Sequence, residues 1–168
     1  MKLKIIGFVL AVVAPLLVSC TPDSNAGAPL LNSNDVIPLP TVSYSVIASG
    51  DSTINGLPEN RKLEIYTNQT AFNSNLYLFL QPLAEHTVDF SSRRVALLSL
   101  GGRPTGGYSI SAEKIEDYGE FIKASIVIKK PGSNCVVTQA QTSPYQFVEV
   151  ESVKELLFEE RVEVVNCI

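Results

Sequence analysis

The octapeptide Arg93-Arg94-Val95-Ala96-Leu97-Leu98-Ser99-Leu100 runs straight into Gly101-Gly102-Arg103-Pro104-Thr105-Gly106-Gly107, and no other stretch restricts the fold as much. A short, nearly continuous apolar run bounded by turn residues reads as a strand buried on both faces, so it belongs in the middle of a sheet and not at its edge. The glycine-rich stretch after it must turn sharply.

Around this strand lie other short β-type runs separated by turn residues, the pattern of an antiparallel sheet that folds on itself. Residues 44–47 (YSVI) read as a first strand, 50–60 as a loop, and 62–66 (KLEIY) as a strand with Leu63 and Ile65 on one face. Residues 108–115 and 121–129 read as a hairpin around Asp117-Tyr118-Gly119-Glu120, with Ile122, Ala124, Ile126 and Ile128 on one face. Residues 135–138, 145–150 and 161–165 supply three further strands. Thr67 is placed to cap a helix over 68–80, because Phe72, Leu76, Phe79 and Leu80 recur at helical spacing and Pro82 stops it. That apolar stripe reads as core packing. The fold class expected is mainly β (α+β): an antiparallel sheet or sandwich-like domain with one short helix.

The N-terminus has a different character. Met1-Lys2-Leu3-Lys4 is basic, residues 5–18 are apolar, and the run is too short to span a membrane comfortably, so it reads as a secretory signal. Leu17-Val18-Ser19-Cys20 resembles the lipobox of bacterial lipoproteins, which implies cleavage before Cys20 and acylation of its sulfur. Several acyl chains hold a protein firmly on a membrane. Thr21, not an aspartate, follows the cysteine. In a two-membrane cell the resemblance to lipoprotein sorting rules then favours the outer membrane; in a one-membrane cell the chain would sit on the outer face of the plasma membrane. Residues 21–41, with prolines at 22, 29, 38 and 40, read as a disordered tether that would hold a domain on the order of 25 Å from the lipid. The expected division is therefore a signal peptide at 1–19, a lipidated cysteine and linker at 20–41, and one folded domain at 42–168.

Removing residues 1–19 from the 168 leaves 149, and takes Lys2 and Lys4 from the 13 basic residues, so 11 Lys+Arg face 17 Asp+Glu. A net charge near −6 makes nucleic acid a poor partner. Export sets an oxidising context for the two remaining cysteines, Cys135 and Cys167. Either they pair, closing a loop worth roughly 3 to 4 kcal/mol on the chain-entropy argument, or they are two separate buried thiols. One histidine, His86, and no Cys-x-x-Cys leave too few ligands for a metal site.

Parts for catalysis are hard to assemble. His86 reads as a lone surface histidine beside Glu85, and Ser152 with Lys154 has a chance spacing and no second signature. Glu116-Asp117 and Glu159-Glu160 are adjacent carboxylates that a strand sends to opposite faces. Cys135 has no cation nearer than Lys129 and Lys130 to activate it. The stretch 101–108 lacks the Gly-Lys-Ser/Thr ending of a phosphate loop and leads into a strand. The reading is a non-enzyme without cofactor that works by contact. Exposed loops around Arg103-Pro104-Thr105 and Ser143-Pro144-Tyr145 carry residue types enriched at interface hot spots.

Val88-Asp89-Phe90, the apolar strand, GGRPTGGYSI, a charged hairpin and Thr142-Ser143-Pro144-Tyr145 together resemble the C-terminal domain of the PrcB family. The resemblance runs from about residue 44 to the C-terminus. It implies a PrcB C-terminal-like domain over 42–168, and a non-catalytic lipoprotein subunit that assists a subtilisin-type surface protease. The chain departs from the family pattern at Gly101-Gly102-Arg103, where one glycine and a lysine are commoner, and in its two cysteines. The partner-binding loop it implies is Arg103, Pro104, Thr105, Gly106, Gly107 and Tyr108. Pro104-Thr105-Gly106 and Tyr108 also resemble the wedge loop of chagasin-type protease inhibitors, the alternative function. The inhibitors' Arg-Pro-Trp loop is absent, the chain having no tryptophan.

Overall fold

A computed structural model describes residues 39–52, 60–80 and 86–167. The signal peptide, Cys20, all but the last residues of the linker, most of the 50–60 loop and Pro82 lie outside the described residues.

Among the described residues, seven strands and one helix follow in the order β1 (Tyr44–Gly50), β2 (Lys62–Tyr66), α1 (Gln69–Phe79), β3 (Arg94–Ser99), β4 (Ser109–Asp117), β5 (Phe121–Pro131), β6 (Tyr145–Val150) and β7 (Glu155–Val165). They build a four-stranded sheet, β1-β6-β3-β2, and a three-stranded sheet, β4-β5-β7. This is the mainly β, sandwich-like class expected. All pairs are antiparallel except β5 with β7, which run parallel from Phe121 opposite Glu155 to Pro131 opposite Val165. The parallel pair arises because the chain leaves β5, crosses to the other sheet as β6, and returns to start again beside Phe121. Parallel neighbours need such a long crossover.

Strand β3 is buried along nearly its whole length, as its composition requires. Ala96 and Leu98 join Val148 and Val150 of β6 and the Ile122, Ala124, Ile126 face of β5 in the core between the sheets. Val95 and Leu97 point the other way, into a second core with Phe147 and the helix residues Phe72 and Phe79. That core is aromatic: the Phe79 ring lies 4.8 Å from Tyr145 and 5.3 Å from Phe147. Three layers result, helix on sheet on sheet.

The helix cap is Asn68, not Thr67: its Oδ1 accepts from the Ala71 N–H at 2.9 Å. Gln69, one residue on, fastens the next segment, since its amide donates to His86 O at 2.8 Å and accepts from Val88 N–H at 3.0 Å.

Two strand expectations are corrected. Residues 135–138 are not a strand; they follow a turn closed by Cys135 N–H on Gly132 O at 3.1 Å. Strand β7 begins six residues before the expected 161, because Leu156 and Phe158 have core to fill. In β2, Leu63 and Ile65 share one face as expected, opposite Leu98 and Ala96, while Tyr66 on the other face is buried beneath the helix.

Candidate functional site

Where β3 ends, the chain enters the glycine-rich turn over 101–108 and is fastened to the segment 138–144 at each step. Gly101 takes φ +68° and donates its N–H to Ser99 Oγ at 3.2 Å. Arg103 and Thr142 exchange backbone bonds of 2.7 and 2.9 Å. Thr142 Oγ1 donates to Thr105 O at 2.9 Å, and Gly106 N–H to Thr138 O at 3.0 Å. Of the expected binding residues Arg103, Pro104, Thr105, Gly106, Gly107 and Tyr108, only Pro104 and Gly107 are exposed; Gly106 is buried. The turn is a clasped corner, not a free finger.

Arg103 is committed within it. One Nη donates to Leu100 O at 2.9 Å, and the guanidinium lies 5.8 Å from the centre of the Tyr108 ring. Its Nε is buried without a protein partner. Beneath the turn is a shallow cleft of about 210 Å3 at the open end of the sandwich, with Leu100, Tyr108, Ile128 and Val162 as apolar walls and Arg61, Arg103 and Lys130 as cations. Glu160 pairs with Arg61 at its rim. An apolar slot with a cationic rim can hold an apolar group that carries an anion; it contains no nucleophile with an adjacent base.

The second expected loop, Ser143-Pro144-Tyr145, is not exposed. Ser143, Pro144 and Tyr145 are buried, Ser143 N–H donates to Asp51 O at 2.6 Å, and Tyr145 sits in the aromatic core. Burial, then the nearby Asp51 charge, raises the Tyr145 phenol above its ordinary range. The residues resemble hot-spot types because they are core types as well.

His86 is not a lone surface histidine. Its Nε2 lies 3.0 Å from Glu149 Oε2, and its ring packs edge-on against Phe72 with centroids 6.1 Å apart. Arg93 Nη1 donates to the other Glu149 oxygen at 2.5 Å. Burial alone would push the Glu149 carboxyl up, but its hydrogen bonds to His86 and Arg93 outweigh burial and hold it below the ordinary glutamate range. The cluster ties the 86–93 segment to β6 on the helix side of the sheet.

The remaining polar candidates are taken up structurally. Ser152 Oγ accepts from Lys154 N–H at 3.2 Å, while Lys154 Nζ donates to both Asp117 oxygens at 2.6 Å. That ammonium, together with the Gly119 N–H, holds the Asp117 carboxyl below its usual range. Glu159 and Glu160 point to opposite sides, to Lys123 and Arg61. Cys135 is bonded to Cys167 with their Cα atoms 4.9 Å apart. Among the described residues, no three His, Cys, Asp or Glu side chains gather as metal ligands.

Fold and corner together define a two-sheet β domain backed by one helix, with its glycine-rich corner clasped at the open end of the sandwich. The family model described as PrcB C-terminal matches residues 94–151, so the segment from β3 through β6, which includes the corner, is PrcB C-terminal-like. The match is narrower than the span from residue 44 onward that the resemblance suggested: β1, β2, α1 and β7 lie outside it. No curated protein and no solved structure matches the chain.

Proposed function

We propose that this protein is a membrane-tethered accessory subunit of a cell-surface protease complex and acts by protein contact, without chemistry of its own. The observation that carries the reading is the PrcB C-terminal match over 94–151. Anchoring at Cys20, with export to the cell envelope and a tether up to residue 41, is supported by the sequence alone. Consistent with contact and not catalysis, His86, Arg93, Arg103, Asp117, Glu149 and Lys154 are engaged in side-chain pairs or backbone bonds. The inhibitor alternative draws no support from the corner, whose backbone is laced to residues 138–142 where a wedge would have to protrude.

The test is a crosslinked pull-down of the full-length, lipidated protein from its own membranes, read by mass spectrometry, beside a deletion strain assayed for surface protease. A reproducible protease partner and a fall in protease amount or activity on deletion are expected. A clean blank, with Cys20 confirmed as acylated and protease activity unchanged, overturns the reading. Slowing of papain-like enzymes by the purified protein, abolished by Thr105→Ala, would replace it with the inhibitor.

A further inference from the structure

A two-sheet domain has four sheet edges to protect, since an open edge is a template for any passing strand. Three are blunted here. Strand β1 breaks register between Val46 and Ala48. Strand β2 has five residues and opens on Lys62. Strand β4 breaks register between Ala112 and Lys114, and its far end is covered where Val42 N–H donates to Ile115 O and Asp117 N–H to Pro40 O, both at 2.8 Å.

Strand β7 is neither bulged, short nor covered among the described residues. Its 11 residues pair with β5 in unbroken register, it contains no lysine or proline, and among the described residues nothing pairs with its other side. Leu157, Val162, Val164 and Val165 stand 41, 58, 52 and 44 % exposed along it. Its end is held still: Gly132 N–H donates to Val165 O at 2.8 Å, the Asn134 side chain brackets the Cys167 backbone, and the Cys135–Cys167 bond closes the arrangement. An edge ordered beforehand loses less entropy when it is bound.

Charge decides what fits. Along β7 stand Glu155, Glu159, Glu160 and Glu163 against Arg161. The domain's own cations reach some of them, yet Glu159 stays 61 % exposed beside Lys123, and pairs this open are worth little. A second copy of β7 would lay the same excess of carboxylates against this one. A basic strand would not.

We propose that the free edge of β7 takes an extended segment of a partner protein, alternating basic and apolar residues, as the fourth strand of the β4-β5-β7 sheet. The backbone groups supply affinity and the alternate side chains supply selectivity, as in strand addition generally. The inference deepens the contact reading above and rests on it only for the premise that the domain binds protein.

The experiment titrates the full-length protein in detergent with a fluorescent peptide of about ten residues in which lysine and valine alternate, a strand-length probe, followed by anisotropy and amide hydrogen exchange. Saturable binding with slowed exchange confined to β7 is expected. Val164→Lys, at an exposed site, should weaken it by about tenfold or more with the melting temperature unchanged, while Val164→Thr should keep it. A glutamate-valine peptide, or one with every second amide N-methylated, should not bind. Equal binding of either control, protection elsewhere in the molecule, or no saturation overturns the proposal. So does a dimer in light scattering that Val164→Lys dissolves, since the occupant is then a second copy. The assay contains no protease: its failure removes the β7 edge and leaves the pull-down standing, and a blank pull-down beside a positive titration does the reverse.

Discussion

Gln146 of β6 accepts the Ala112 N–H of β4 on its Oε1 at 2.8 Å, a hydrogen bond that joins the two sheets through the core. Ala112 sits at the register break of β4, where a bulge takes backbone groups out of the ladder. Tyr44 completes the repair by donating its hydroxyl to Glu113 O at 3.0 Å. A buried glutamine is tolerated here because its acceptor meets a backbone donor that would otherwise be orphaned. Gln146→Leu, close in size, should therefore cost about 1 to 3 kcal/mol, the range for a buried donor left unsatisfied. Urea titration should show a lower midpoint with the slope unchanged.

The Cys135–Cys167 bond spans 32 residues and ties the turn after β5 to the end of β7. Replacing both cysteines with serine should lower stability by roughly 3 to 4 kcal/mol on the loop-entropy argument. The loss should also be local. Amides near Val164 and Val165 should exchange faster than those of β3, which is buried at the centre of its sheet; uniform acceleration would contradict this.

Glu149 provides a share of the acid sensitivity, beside Asp117. Its folded carboxyl is held below the unfolded value of about 4.3. The stability it contributes is thus complete above that pH and is lost as pH falls through the lowered folded value. Arg93→Met removes one of the two hydrogen-bond partners that offset its burial, so the acid limb of the stability curve should move to higher pH. Glu149→Gln should make that limb shallower, because one of the titrating groups is gone. Thermal melts between about pH 3 and pH 6 read both.

Close packing of the corner predicts a coupled pair. A Cβ at Gly106 would lie 2.3 Å from Thr138 Oγ1, and the next nearest atom of Thr138 is 3.6 Å away. Gly106→Ala should destabilise alone and recover when combined with Thr138→Ala, with a coupling energy on the order of 1 kcal/mol in a double-mutant cycle. Gly101→Ala has no such rescue: its Cβ would meet the Asn60 backbone at 2.6 Å, and its φ is positive. It should be the most damaging glycine substitution in the corner, with reduced folded yield as the readout.

Several features were legible in the chain because they depend on neighbours in sequence. The composition of Val95 to Leu100 demanded burial on two faces, and both faces of β3 are buried. The period-two pattern at Ile122, Ala124, Ile126 and Ile128 placed one face of β5 in the core. Asp117 to Glu120 made a tight turn, completed by Gly119 at φ +90°. Phe72, Leu76, Phe79 and Leu80 lined the buried side of one helix. The segment 94–151, glycine-rich corner included, carried enough pattern to match a family model.

Other features depended on which distant segments meet. Nothing local distinguishes a Ser-Pro-Tyr that is exposed from one that closes an aromatic core, so Ser143, Pro144 and Tyr145 read as surface until Phe79 and Phe147 were seen around Tyr145. His86 looked solitary because Glu149, its partner, is 63 residues away. Strand pattern carries no direction, so the parallel pairing of β5 with β7 followed only from the passage of β6 through the opposite sheet. The sequence by itself determined which residues must leave water, since hydrophobicity and spacing act within a few residues. Only the tertiary structure decided against what they pack, which polar atoms are repaired across the sheets, and that one edge of β7 is unpaired among the described residues, because those depend on contacts between segments far apart in the chain.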